Sequence, residues 1–315
     1  MPPPQGTPNI LEGPGDYTVT EKVHSDTYPA IDPGKLDPSL LQGRAVYIGG
    51  ASRGIGKAIA TSFARGGATL IAIGARSTSS LEPVAEELRA AARDAGRDAS
   101  ALRVVCVAVE ASSPESVAAA ADTVARESGG RGLDIVVQNA AVLGTSARVA
   151  DADPEGWWRV YEVNVRGQFL AAKYFLPLLL GKPGGLRTFV TVASVGAHLV
   201  GEGYSHYQSS KLANLRIAEF VDKEYGPEGV SAWCVHPGNV LTDMAGGADG
   251  EVAKAMGKIF VDTPQISADT IVYLAAEKRQ WLSGRYINCT WDMPELLAQE
   301  EEIVKGDKLK VRLVL

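Results

Sequence analysis

An α/β fold, a single domain built on a doubly wound parallel sheet of about seven strands, is predicted by three features of this sequence. Short apolar, β-prone runs recur along it, at Ala45–Ile48, Thr69–Ile73, Leu102–Val109, Leu133–Val137, Thr188–Ala193, Val230–Val235 and Arg285–Cys289. Segments with helical apolar spacing separate these runs, which calls for right-handed crossovers between parallel strands. The run Thr69–Ile73 is continuous rather than alternating, as strands covered on both faces require. With 315 residues, 45% of them hydrophobic, the chain can bury one large core.

Residues 1–42 hold eight of the seventeen prolines and lack a sustained period. They predict an N-terminal extension whose first fifteen or so residues have no fixed structure. Tyr17, Val19, Val23, Tyr28 and Ile31 are apolar enough to dock it on a core spanning 43–290. The first strand runs into Gly49-Gly50-Ala51-Ser52-Arg53-Gly54-Ile55-Gly56, and Ile55, Ile59 and Phe63 then recur at helical spacing until Gly66-Gly67. Glycines at such a junction allow a tight turn and close approach of a ligand, and the free N–H groups of the following helix favour an anion, usually phosphate. The same stretch matches Gly-x-Ser-x-Gly, which would make Ser52 a hydrolase nucleophile; an elbow of that kind normally follows several strands, and this one follows the first.

A second helix is expected from Leu81 to about Ala95, closed by Gly96, with Arg89, Arg93 and Arg97 on a solvated face. Ser113-Pro114 and Asp153-Pro154 each pair a helix N-cap with proline in the first turn. The latter opens a long helix through Trp157, Tyr161 and Phe169 that Pro177 should kink or end. Ser205 to Tyr225 reads as a further helix, and residues 291–315 as a C-terminal extension packed on the core.

Composition narrows the function. A net charge of −6 without a basic stripe argues against a nucleic-acid partner, and no long unbroken apolar run suggests a membrane span. The start, Met1-Pro2-Pro3-Pro4-Gln5-Gly6, lacks the apolar region of a secretory signal. Cys106, Cys234 and Cys289 sit singly in strand-like stretches as small buried thiols, fitting a reducing cytoplasm. Four dispersed histidines give no metal-ligand pattern, and His24 and His206 read as structural or exposed.

Ligands of doubly wound sheets bind beyond the carboxyl ends of the strands. There stand the glycine turn, Ala75-Arg76-Ser77, Glu110, Asn139-Ala140-Ala141, Ser194 and the loop from His236 to Asp243. Tyr207 and Lys211 are four residues apart, hence on one helix face. An ammonium beside a phenol favours the phenolate and brings Tyr207 toward a working range for acid–base chemistry, while Ser194 can hydrogen-bond the same substrate oxygen.

Taken together these residues resemble the short-chain dehydrogenase/reductase family, over about Gly43 to Cys289. The turn Gly50-Ala51-Ser52-Arg53-Gly54-Ile55-Gly56 is similar to the family's cofactor turn. Asn139-Ala140-Ala141 resembles its Asn-Ala-Gly segment, and Asn164 matches its catalytic-helix Asn. Ser194 precedes Tyr207 by thirteen residues, Lys211 completes Tyr-x-x-x-Lys, and Pro237-Gly238-Asn239-Val240-Leu241-Thr242 is similar to the family's nicotinamide-side segment. The resemblance implies a Rossmann-type fold and hydride transfer between a nicotinamide and a carbonyl or alcohol. Tyr207 would be the general acid, Ser194 would hold the oxygen, Lys211 would lower the Tyr pKa and bind the ribose, and Asn164 would support a water relay. Glu110 would approach the adenine.

No carboxylate ends the second strand, where one would accept from a ribose 2′-hydroxyl. Arg76 with Ser77, together with Arg53, instead favours NADP(H). The family usually has Thr at Gly49 and Gly at Ala141, so the cofactor floor is altered here. Thr242 to Pro264, with Met244, Met256, Ile259 and Phe260, reads either as a mobile lid over an apolar ligand or as an amphipathic helix at 251–261. His198 and Tyr204 are candidate pocket residues beside Met244. The family's habit implies a homodimer or homotetramer, and the two extensions resemble fungal-type NADP-dependent reductases, some of them in specialised metabolism. The expected function is NADPH-dependent reduction of a ketone or aldehyde on a small apolar substrate, with an NADP-binding scaffold or a non-redox enzyme as the alternative.

Overall fold

The computed structural model describes residues 9, 11–245, 247 and 258–314. Among them the sheet has seven strands in the order β3-β2-β1-β4-β5-β6-β7. These are β1 (Ala45–Gly49), β2 (Leu70–Ala75), β3 (Arg103–Ala108), β4 (Ile135–Gln138), β5 (Thr188–Val192), β6 (Ser231–His236) and β7 (Tyr286–Asn288). Every neighbouring pair is parallel. The order reverses between β1 and β4, and that switch point opens the crevice in which such sheets bind ligands.

One face carries α1 (Gly54–Gly66), α2 (Glu82–Asp94) and α7 (Pro264–Ala275); the other carries α3 (Pro114–Glu127), α4 (Pro154–Tyr161), α5 (Gly167–Leu180) and α6 (Ser205–Tyr225). Strand residues alternate between the two cores. Val46, Ile48, Ile71 and Ile73 pack toward α1, whereas Tyr47, Ala72 and Val136 pack toward α3 and α5. Ile59 and Phe63 of α1 are fully buried. At about 1.5–3 kcal/mol for each such side chain, they press the helix and its N-terminus firmly against the sheet.

Two expected features differ. The helix from Pro154 is interrupted not by Pro177 but by a π-helical segment at Glu162–Arg166, and α5 runs past Pro177 to Leu180. Pro177 sits one turn from the end and its carbonyl still accepts from Gly181 N; what its ring removes is the single donor bond to the turn before it. Arg97 is not on a solvated face: its guanidinium donates to the carbonyls of Arg65, Pro33, Gly34 and Leu36, fastening the N-terminal extension to the end of α1.

The extension lies along the sheet's β7 end. Leu11 to Gly15, expected to lack fixed structure, are held in turns, and Trp291 Nε1 donates to Gly15 O. Val23 bridges Trp291, and His24 N donates to Thr290 O. The chain then closes with α8 (Met293–Ala298) and α9 (Glu300–Lys305). Met293, Leu296 and Ile303 of this tail are buried in the α1-side core.

Candidate active site

The glycine turn follows β1 directly. Gly50 and Gly54 take positive φ of 76° and 56°. At Gly56 a Cβ would stand 2.1 Å from Gly50 O and 2.5 Å from Asn139 Nδ2. The turn is thus folded back on itself, and Asn139 pins it by donating to Gly50 O at 2.9 Å. Among the described residues no side chain caps α1. Its first N–H groups face a cleft of about 520 Å³, lined by Gly50, Ser52, Arg53, Gly54, Ile55 and Arg76 at one end and by Asn139, Ala140, Ala141 and Thr242 toward the other. That is an anion cradle at a helix terminus.

Arg76 is exposed at the end of β2, and Arg53 pairs with Asp243 at 3.1 Å, also in the open. Both line the cleft, whereas Ser77 does not: its hydroxyl is shared with Ser79. Glu110 lines it and is held by Ser112 and Arg159. The Gly49 departure has a structural partner. A Cβ there would meet Gln138 Oε1 at 2.7 Å, so the Gln138 side chain occupies the space that a residue at 49 would need. No histidine lines this cleft among the described residues, so Ser52 has no general base of the hydrolase kind and belongs to the turn.

The second cavity, about 580 Å³, adjoins the first through Ile55, Asn139, Ala141, Leu143, Thr242 and Met244. Ser194, Tyr207 and Lys211 stand on its wall. Ser194 follows β5, and its hydroxyl accepts from Gly196 N at 3.0 Å and shares a hydrogen bond with Tyr207. Lys211 is buried, its ammonium donating to Val192 O at 3.0 Å and lying 5.6 Å from the Tyr207 ring centroid. Burial pushes the Tyr207 phenol above its ordinary value, and the Ser194 bond pulls it only partly back. This corrects the expectation that Lys211 lowers it; burial instead brings Lys211 down to about 8. A phenol that keeps its proton at neutral pH is suited to giving it away.

Asn164 lies in the π-helical segment. Its amide oxygen accepts from Val142 N, and its nitrogen donates to Val142 O and to Ser210 Oγ. The side chain therefore fixes the loop after β4 against α6 and does not line either cavity. Short π segments frequently mark functional sites.

Pro237, Gly238 and Val240 line the second cavity, as do Tyr204 and Met244. His198 does not: it packs edge-on against Tyr286 at 4.6 Å, with burial lowering its pKa. Of the lid residues, Met244 and Phe260 line the cavity, while Met256 and most of the 251–261 helix lie outside the described residues. Three further residues contribute, of which His236 was already marked in the sequence at the start of the loop after β6, while Gln208 and Leu11 were not. His236 lines the cavity and its Nδ1 accepts from Val195 N at 3.1 Å; burial holds the ring neutral, with a pKa of about 3. Gln208 accepts from Gly201 N at 2.7 Å, tightening the loop after Ser194. Leu11 reaches in from the N-terminal extension. His236 had a signal, opening the Pro-Gly segment; Leu11 had none.

A family model for short chain dehydrogenases matches residues 44–252, and the chain belongs to that family. It is 51% identical to the short chain dehydrogenase pigC of Monascus ruber over the full length of both chains. The short chain dehydrogenase tazN of Aspergillus terreus is 46% identical across 96% of this chain and 63% of its own. Among solved structures, a short chain dehydrogenase from Burkholderia cenocepacia in complex with NADP is 28% identical, with a TM-score of 0.66, covering 79% of this chain and 96% of that one. The chain is thus an oxidoreductase of a nicotinamide-using family, and no helix among the described residues is long and apolar enough to cross a membrane.

Proposed function

We propose that this protein is an NADPH-dependent reductase of a ketone or aldehyde carried on an apolar body. The observation that carries the reading is the adjacency of the two cavities: the Ser194, Tyr207 and Lys211 side chains stand in the second, next to the Asn139–Ala141 end of the glycine-turn cleft. The cleft suits a dinucleotide, with a turn too tight for a Cβ at Gly56 and a helix terminus bare of side-chain caps among the described residues. The bound nicotinamide would supply the hydride. Tyr207 donates its proton to the carbonyl oxygen and Ser194 donates a hydrogen bond to the same atom. Lys211, fixed by Val192 O, places positive charge beneath the phenol. Asn164 acts as a positioning residue, since its amide is engaged by Val142 and Ser210.

NADP(H) rather than NAD(H) is favoured by Arg53 and Arg76 at the cleft and by the absence of a carboxylate at the end of β2. A cytoplasmic setting is favoured by three cysteines that are all free thiols. The test is a titration of the purified protein with NADPH and with NADH, followed by tryptophan quenching, and then NADPH consumption on adding simple aryl ketones. Tight NADPH binding, weaker NADH binding and ketone-dependent consumption are expected. NADPH binding with no consumption by any carbonyl would overturn the reductase reading and favour a scaffold.

A further inference from the structure

Residues 11–16 lie upstream of the segment that the family model matches, yet Leu11 lines the second cavity. Leu11 is half-buried and lines it together with Met244, Phe260 and Leu199. Two residues on, Gly13 passes so close to Val195 that a Cβ would fall 2.2 Å from Val195 Cγ2, and Val195 directly follows Ser194. The approach is held from several sides. Gly13 N donates to Asp16 Oδ2 at 2.7 Å, Asn288 Nδ2 at the end of β7 donates to Asp16 Oδ1 at 2.9 Å, and Trp291 Nε1 donates to Gly15 O at 3.0 Å. The segment is thus a fixed wall, anchored to the sheet's last strand and to the residues after it.

Resting on the reductase reading, we propose that the N-terminal segment Leu11–Asp16 is part of the substrate site, and that Leu11 sets how large an apolar body the ketone can carry. The carbonyl end meets Ser194 and Tyr207; the non-reacting end meets Leu11, Met244 and Phe260. A body long enough to extend from Tyr207 to Leu11 reaches that wall, and a shorter one does not. Discrimination by an apolar contact of this size amounts to about 10–200-fold.

The test compares the wild-type protein with Leu11→Ala and Leu11→Trp on acetophenone and acetylnaphthalene, together with NADPH titrations. Leu11→Trp should lower kcat/KM for acetylnaphthalene about tenfold or more and leave acetophenone within about twofold. Leu11→Ala should raise KM for the larger ketone with kcat nearly unchanged, the mark of a lost binding contact. NADPH affinity should stay constant in both. Equal effects on both ketones, or none, would overturn the wall while leaving the reductase reading intact. Equilibrium binding of anilinonaphthalenesulfonate, an apolar dye, gives a readout free of turnover. If no ketone is reduced but Leu11→Ala and Leu11→Trp change dye affinity severalfold, the reductase reading fails and the wall stands; unchanged dye affinity together with no turnover would overturn both.

Discussion

At the scale of single residues, the site turns on which groups keep their protons. Burial leaves the Tyr207 phenol protonated at neutral pH and Lys211 with a pKa of about 8, so below that value the ammonium and phenol coexist. On the proposed mechanism, Tyr207→Phe removes the proton donor without touching the glycine cleft. Turnover should fall about 10²–10⁴-fold with NADPH affinity unchanged, as measured by steady-state rates and quenching titration. A variant retaining more than a tenth of the activity would show that the proton comes from elsewhere. The arginines allow a second comparison. Hydrogen bonds to a charged group are worth about 1.5–3 kcal/mol, so Arg76→Ala should weaken NADPH about tenfold or more and leave NADH nearly unaffected. Equal losses for both cofactors would mean that Arg76 does not meet the 2′-phosphate.

At the scale of elements, the β1–turn–α1 unit is the most demanding part of the structure. Gly56→Ala would force a methyl into Gly50 O and Asn139 Nδ2, backbone and side chain that cannot both withdraw. The turn should open, with NADPH binding weakened at least tenfold and the thermal midpoint lowered; unchanged binding would mean that the turn relaxes freely. This unit was legible in the sequence because its signals are local: a buried strand, glycines at fixed offsets and a periodic helix. The central strands were legible for the same reason, their continuous burial matching their apolar runs, whereas β3 at the sheet's edge is exposed at both ends. The π-helical break at Glu162–Arg166 was not, because apolar spacing persists through it and its cause is tertiary: Asn164 reaches Val142 and Ser210. Arg97 failed likewise, its partners being carbonyls of the N-terminal extension some sixty residues away. The Ser194, Tyr207 and Lys211 spacing marked the residues, but the burial that reverses their expected pKa logic is a property of the packed cavity.

At the scale of the molecule, two features reach beyond any one element. Trp158, Phe169, Leu212 and Phe220 are exposed on α4, α5 and α6, helices that pack beside one another. Exposed apolar side chains on neighbouring helices are where we propose an interaction surface. A homo-oligomer built on this face predicts that Phe169→Glu with Phe220→Glu lowers the mass found by light scattering to that of one chain. An unchanged mass would place the contact elsewhere.

The second feature is the meeting of the N-terminal extension with the loop after β6, where half-buried Asp16 lies close enough to buried Asp262 to repel it. Asp16 is raised to about 6 by burial, against the pull of its bonds from Gly13 and Asn288. Asp262 is raised to about 7 by burial, opposed by the bond from Asn239 N, with Asp16 adding repulsion; its Oδ1 has no partner among the described residues. In the unfolded chain each would titrate near 3.8. A folded-state pKa raised in this way means stability that is fully present below pH 3.8 and lost as the pH rises through 6 and 7. Asp262→Asn keeps an oxygen for Asn239 N and removes the charge that burial penalises. It should raise the thermal midpoint by about 2–4 °C at pH 8, with the gain shrinking steadily toward pH 4. A gain independent of pH would assign the effect to packing, and a loss at pH 8 would mean that the carboxylate is held by a charge stronger than its burial. Because Asp262 also bridges Val240, and Thr263 N donates to Ser25 O in the extension, relief there should tighten the extension's hold on the cavity as well as the fold. Slower proteolysis of the N-terminal extension in Asp262→Asn at pH 8, and not at pH 5, would be the sign of that coupling.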